Sequence, residues 1–459
     1  MLTLALPQVA FPPIGRVTDE SSVLTIRALF AEPLCEWEDG AIRPALFSRW
    51  SHDEAGLAWR FTIRDGARFH DGQRVTAEDV LATIEAVLAA RDGFDMPGPQ
   101  ARYLQGARIV ALAPDVLGIT TPVPLADLPE ILSEFHLIRA DASGAPVIGT
   151  GRYRVVAQAP GRAELAAVDS AAQPARITLL AERDAEARHA LLAGGGADAA
   201  LHMERMKRPL PETPGIAWAR AVNTLSVMFY LNGGSGLFAS PAARLAANLA
   251  VDRARILADA LHGLGVLAAT IVSPVHLGAR EAGLAPLPHD PERAKRLFGE
   301  AGAGAPILIR TPTHMPERSP EITAMVAHDL ERAGVPCRIE TETDRPEYAR
   351  QVGRKRIGDM AIFDSSPHST FRVLSDKISA RVQGLWWQGH DDPQLEPMIE
   401  AANRTMDGAA RAAAYARCLA RLHANPPWLY LLHPVEAFGA RAGLRGLSLD
   451  ARGILRVGG

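Results

Sequence analysis

The chain has 459 residues, 47% of them hydrophobic and 22% charged, with a formal net charge of -3. That length exceeds one ordinary domain, so two or three are expected. The charge balance gives no sign of a nucleic-acid or membrane-surface partner, and no run approaches the ~20 apolar residues of a membrane span. In chain order, Leu2, Leu4 and Leu6 alternate with small residues, as in a first strand. Met1–Pro7 lacks a basic n-region and a long apolar h-region. Trp59, Phe61 and Ile63 alternate with Arg60, Thr62 and Arg64, the period of a half-buried strand. Asp65-Gly66 and Asp71-Gly72 are turn dipeptides. Thr76, three residues before Asp79, marks a helix start, and Val80, Leu81, Ile84, Val87 and Leu88 fall on one face of that helix. Leu192–Ala200 reads as helix ends and surface turns. Asp290-Pro291 starts a second helix, with Ala294, Leu297 and Phe298 as its apolar face and Gly302 as its stop. Cys35, Cys337 and Cys418 are odd in number and far apart, and read as isolated buried thiols.

Chemistry is sparse. No G-x-S-x-G elbow, H-E-x-x-H pair or P-loop occurs, so an enzyme is not expected and no cofactor or metal is implied. Gly149–Gly151 is too short for a phosphate loop and reads as a tight backbone turn. His70-Asp71 sits in a turn and is given a structural role. His390-Asp391-Asp392 precedes an apolar helix and is read as its cap. Asp252-Arg253 is read as a helix-surface or packing pair.

The run WRFTIRDGARFHDGQRVTAEDV (Trp59–Val80) resembles the W-x-F-x-L-R-x-G-x-x-F-x-D-G-x-x-x-T-A-x-D-V segment of the family 5 extracellular solute-binding proteins, the large binding proteins of ABC importers for peptides, nickel and related solutes. Further segments are similar in the same order: Gly40–Trp50, Ile148–Tyr153, Phe229–Asn232, Leu249–Arg253, Asp290–Leu297 and Pro427–Pro434. The resemblance implies an α/β, two-lobed periplasmic-binding-protein fold of type II, the large peptide-binding class, with hinge strands. Residues 1–222 plus 435–459 would form the first lobe, with a peripheral subdomain at about 34–150, and residues 223–434 the second. Hinged closure on a ligand held between lobes is the implied motion.

The same resemblance implies a small peptide or peptide-like solute, ABC permease subunits as partners, no nucleic acid, no membrane insertion and a monomer. In peptide-binding members a strand resembling Asp359–Leu374 brings a carboxylate to the peptide ammonium, and Asp364 is the acid that would serve. Phe363, Ser365, His368 and Arg372 flank it as candidate contacts. The Pro367–Thr370 run resembles the form found in nickel- and opine-type members. Trp386 and Trp387 are two of seven tryptophans; if they lie on a strand they point to opposite faces, so that one lines the cleft while the other packs, and core packing is the alternative. Thr25 and Arg27 correspond to the segment approaching ligand from the first lobe, with Arg27 either meeting a carboxylate or lying on the surface. The location implied is periplasmic, in a mature form with its export signal removed. The rival is a cytoplasmic sensor of the same fold; nickel complexes, opines and sugars are the rival solutes.

Overall fold

The computed structural model describes residues 1–458 except 14, 17, 19, 39 and 91–97. The chain divides into two compact units, Met1–Ala221 with Glu436–Gly459, and Val222–Val435. The strand Trp428–Arg441 begins in the second and ends in the first.

In the first unit, Leu2–Leu6 is central and lies parallel to Arg176–Ala181 on one side and Ala199–Ala200 on the other. Arg162–Ala167 and Tyr153–Ala159 extend this sheet antiparallel. Ala199 and Ala200 pair in turn with Ala440 and Gly439. Leu2, Leu4 and Leu6 are buried with Leu165, Ile177, Leu179 and the Ser21–Phe30 helix. A second, four-stranded antiparallel sheet runs in the order Phe47–His52, Ala58–Ile63, Val116–Thr120, Arg108–Ala113. Trp59, Phe61 and Ile63 are its buried residues on Ala58–Ile63, as the alternation requires. The helix Ala77–Ala89 follows, and Thr76 and Asp79 form a reciprocal capping box at its start.

The expected turn at Gly149–Gly151 has a different physical basis. Neither glycine has a left-handed backbone. A Cβ at Gly149 would lie 1.9 Å from Phe30 O, and one at Gly151 would lie 2.6 Å from Phe30 C. These glycines admit a close backbone approach. His70 holds the segment from its other side: Gly149 N donates to His70 Nδ1 (3.4 Å), and His70 Nε2 donates to Gly151 O (2.9 Å). Asp71 is tied to Arg139 and to Gln73 N. The His70-Asp71 pair is therefore consumed by structure.

In the second unit, Ile307–Pro312 lies parallel between Cys337–Glu342 and Met360–Ser365. Ser226–Leu231 runs antiparallel between Met360–Ser365 and the start of Trp428–Arg441. Helices Pro241–Ala250, Pro291–Glu300 and Ser319–Arg332 bury Leu249, Phe298 and Val326 with Phe229, Ile309 and Ile362. Asp290 caps the Pro291–Glu300 helix through Arg293 N, and Gly302 follows in left-handed backbone.

Asp252-Arg253 divides between a cap and a packing role. Leu249–Arg253 is a junction where one helix ends at Ala250 and the next begins at Arg253 under an Asp252 cap. Arg253 is buried and donates to the carbonyls of Leu287, Ala268 and Tyr430. Asp392 closes the turn that leads into the Leu395–Arg404 helix: its Oδ1 accepts from Gln394 N (3.1 Å) and its carbonyl from Leu395 N (2.9 Å). It also holds Arg421 with two hydrogen bonds of 2.6 Å. Burial pushes the Asp392 carboxyl up, but Arg421 outweighs it and the net direction is down. The three cysteines are free thiols; Cys35 and Cys418 are buried and Cys337 half-buried. No helix among the described residues is long and apolar enough to cross a membrane.

Candidate functional site

The second unit gathers candidate residues around the end of the Met360–Ser365 strand. Antiparallel pairing sets Phe363 opposite Met228, Asp364 opposite Val227 and Ser365 opposite Ser226. Phe363 is buried and stacks on Tyr230 (5.5 Å between centroids) and Tyr348 (6.2 Å), with Trp386 tilted against it at 5.0 Å. The Arg345 guanidinium lies 5.0 Å from the Phe363 centroid. Lys377 is buried; its Nζ donates to Tyr230 Oη (3.4 Å) and Asp364 O (3.3 Å) and lies 5.9 Å from the Trp386 centroid.

Asp364 is half-buried, and its charge reaches two of those phenols. Burial first, and then Asp364, pushes the Tyr230 hydroxyl well above its usual range. The Tyr348 hydroxyl is raised by burial as well, and donates to Ile362 O (2.6 Å) and Arg310 O (3.1 Å). Both phenols thus stay neutral beside a carboxylate. Ser365 is 1% exposed, and its hydroxyl has no protein partner.

The loop after the strand is pinned. His276 Nε2 donates to Pro367 O (2.8 Å), Thr370 Oγ1 donates to Leu277 O (2.7 Å), and the Ser369 hydroxyl caps Thr370–Val373 through Arg372 N. His368 is buried, and Arg372 is half-buried. Burial lowers His276 to about 4 and His433 to about 3, so both are neutral imidazoles at physiological pH. His433 Nδ1 shares a 3.0 Å hydrogen bond with the Ser226 hydroxyl.

Trp386 and Trp387 do not form a strand. They occupy a turn-rich segment between the Leu374–Ile378 helical turn and the Leu395–Arg404 helix. Trp386 reaches Phe363, whereas Trp387 donates from Nε1 to His390 O (2.7 Å). Period-two reasoning fails here because the backbone carries no ladder.

In the first unit, Thr25 is fully buried, and its hydroxyl oxygen accepts from Leu455 N (3.0 Å). Arg27, two residues on in the same helix, is also buried. It donates from Nη2 to Arg16 O (2.8 Å) and has no carboxylate partner among the described residues.

A further cluster of this unit went unread in the sequence. His202 Nδ1 lies 3.0 Å from Glu436 Oε2 and 3.8 Å from Glu204 Oε1, and Glu204 Oε2 accepts from Ala437 N (3.0 Å). His202 takes a left-handed backbone (φ 55°). The buried Arg188 holds that turn by donating to Leu201 O and His202 O (both 2.8 Å). Two hundred residues of separation hide such a grouping from any local pattern. Burial, and then the Glu436 charge, raises the Glu204 carboxyl well above its ordinary range. Burial also opposes ionisation of Glu436, but His202 outweighs it and the net direction is down. A raised native pKa stabilises the fold fully below the unfolded carboxyl range, and that stability is lost as pH rises through the native value. Glu204→Gln imitates the protonated acid. Its melting temperature is expected to gain on wild type as pH rises from about 5 to about 8. Parallel melting curves for the two proteins would contradict this assignment.

A profile of bacterial extracellular solute-binding proteins, family 5 Middle, matches residues 41–371. The chain belongs to family 5 of the bacterial extracellular solute-binding proteins. It is 26% identical over 447 residues to the nickel-binding periplasmic protein of Escherichia coli K12, covering 88% of this chain and 83% of that one. HbpA2 from Haemophilus parasuis has a similar structure, with a TM-score of 0.83 at 17% identity over 100% of this chain and 99% of that one. The periplasmic binding protein DppA from Helicobacter pylori, in complex with the peptide STSA, aligns with a TM-score of 0.77 at 18% identity, over 100% and 98% of the two chains. The two-lobed α/β architecture of this family is thus that of the chain. Family 5 proteins are substrate-binding, non-enzymatic components of ABC importers, which agrees with the absence of a catalytic motif.

Proposed function

We propose that this family 5 protein is the periplasmic capture component of an ABC importer, and that its solute is a peptide or peptide-like molecule whose ammonium group meets Asp364. The observation that carries this reading is the half-buried Asp364 carboxylate beside the Phe363–Tyr230–Tyr348–Trp386 aromatic group. A carboxylate in partial burial is suited to a cationic partner, since a charge-assisted hydrogen bond offsets the desolvation of both. Adjacent rings supply apolar area for a side chain. The orphaned Ser365 hydroxyl and the aromatic wall of Trp386 supply orientation without chemistry. A nickel complex fits this unit less well, because the imidazoles of His276 and His433 are both occupied by protein hydrogen bonds. Ligand favours the bound form only by its differential affinity for it, and an ABC permease is the partner to which that form would be offered.

Thermal-shift screening of di- to pentapeptides against nickel–histidine complexes tests the reading. For a stabilising peptide, Asp364→Asn is expected to weaken binding about 10- to 100-fold, the loss of one charge-assisted hydrogen bond of ~1.5–3 kcal/mol. The N-acetylated peptide should bind wild type and variant alike. A stabilising peptide whose affinity survives Asp364→Ala unchanged rules out the ammonium assignment.

A further inference from the structure

His202, Glu204 and Glu436 bring three metal-ligating groups to one point in the first unit. Their donor atoms all lie within 4.8 Å of one another, and among the described residues no other three imidazole, thiol or carboxylate side chains do so. The three side chains are 1%, 12% and 13% exposed, so two carboxylates face one imidazole largely out of water. Carboxylates at close range in such surroundings repel unless positive charge is supplied. Arg205 supplies part of it: its Nε lies 3.5 Å from Glu204 Oε1, on a side chain that is 40% exposed and free to swing outward.

The distances suit a small transition-metal ion. Ligands ~2.0–2.2 Å from a tetrahedral zinc ion stand ~3.3–3.6 Å apart. Here His202 Nδ1 is 3.0 Å from Glu436 Oε2 and 3.8 Å from Glu204 Oε1, so small side-chain rotations would bring all three onto one ion. Supports behind the donors are already in place. Ala437 N donates to Glu204 Oε2 (3.0 Å), which leaves Oε1 on the inner side. Ser21 Oγ stands 3.3 Å from His202 Nε2 and 3.4 Å from Nδ1. With Nδ1 on an ion, Nε2–H is the donor left for that hydroxyl, the outer-shell partner that a ligating imidazole requires. Arg188 fixes the turn itself through Leu201 O and His202 O.

We propose that His202, Glu204 and Glu436 bind a divalent transition-metal ion, zinc above others, as a resident structural cation of the first unit. An imidazole among three protein ligands favours zinc over calcium or magnesium, which take oxygen ligands in larger number. Glu436 opens the C-terminal segment of this unit, where the strand Trp428–Arg441 enters it. An ion on Glu436 would tie that strand to the 202–204 turn, a cross-link across 234 positions of sequence. The inference does not depend on which solute is captured: a failed peptide screen leaves it standing, and its own failure leaves the solute reading standing.

The test uses the full chain, stripped with EDTA and exchanged into chelator-free buffer. Zinc chloride is titrated by calorimetry and, in parallel, while thermal unfolding is followed. One ion per chain and a saturable rise in melting temperature are expected for wild type. Glu436→Gln keeps the shape and removes a ligating charge, so it should bind zinc at least ~100-fold more weakly and lose the rise. Ser21→Ala removes no ligand and should weaken binding about 10-fold, which keeps the proposal testable if Glu436→Gln does not fold. Magnesium chloride at the same concentrations should give no rise. Wild type that takes up no stoichiometric zinc overturns the site. Variants that bind zinc as tightly as wild type also overturn it, because they place the ion on other imidazoles of the chain. An equal rise with magnesium overturns the transition-metal assignment. The Glu204→Gln comparison across pH concerns the metal-free chain and is run in EDTA.

Discussion

Arg188→Met is expected to cost the first unit about 3–5 kcal/mol of stability. Arg188 is 0% exposed, and its guanidinium donates to four carbonyls: Leu201 O and His202 O at 2.8 Å, Glu182 O at 2.8 Å and Arg183 O at 2.9 Å. Methionine fills much of the volume but satisfies none of them. Two of these bonds are buried, and each carbonyl left without a donor costs ~1–3 kcal/mol. The charge itself argues the other way, since burial lowers Arg188 to about 10. Even so, the group remains protonated at neutral pH, and the four directed hydrogen bonds outweigh its desolvation. Typical domains hold only ~5–15 kcal/mol in total, so the loss is a large fraction. Urea unfolding of wild type and variant measures it; an unchanged midpoint would show that the carbonyls find other donors. The second unit uses the same device. Arg244 donates to Phe238 O, Ala239 O, Pro426 O and the Asn425 side chain.

Neither staple was legible in the sequence, and the reason is physical. An arginine that serves carbonyls leaves no periodic signal, and its partners in the second unit lie up to 182 residues away. The Trp59–Leu88 segment was legible for the opposite reason. Its strand alternation, its turn glycines and the Thr76–Asp79 box are all satisfied within a few residues. The candidate site falls between these cases. Asp364 and Phe363 could be singled out because the family resemblance covers the segment that holds both, whereas Tyr230, Tyr348 and Lys377 are brought to them by sheet pairing and helix packing. The strand condition on the two tryptophans is not met: adjacent aromatics carry strand propensity, but Gly384 and Gly389 on either side hold the segment in turns. At Gly384 a Cβ would sit 2.3 Å from Asp376 O, a contact that a strand pattern does not anticipate. Arg27 was visible as a residue but not as an unpaired charge, because pairing is a property of tertiary surroundings.

Gly149→Ala is expected to be the most damaging single methyl group in the first unit. The added Cβ would stand 1.9 Å from Phe30 O and 2.8 Å from Phe30 C, distances that only backbone movement can relieve. Movement is opposed on both sides. Gly151 N donates to Phe30 O (2.9 Å), and His70 N donates to Gly149 O (3.0 Å), so shifting the 148–151 segment breaks one set of hydrogen bonds or the other. Overpacking of a core side chain costs ~1–3 kcal/mol. Here the obstacle is main chain, which has no rotamers to yield, so a loss above ~3 kcal/mol is expected. The disturbed element is also the C-terminal end of the Ser21–Phe30 helix, one turn beyond Arg27. Gly234→Ala gives the contrast: its nearest neighbours are at 3.7 Å and 3.8 Å, and its backbone is not left-handed, so little change in melting temperature is expected. Equal melting temperatures for Gly149→Ala and Gly234→Ala would mean that the Phe30 approach is soft. The fixed position of the helix bearing Arg27 would then have to come from its packing against Leu4, Leu179 and Leu455 instead.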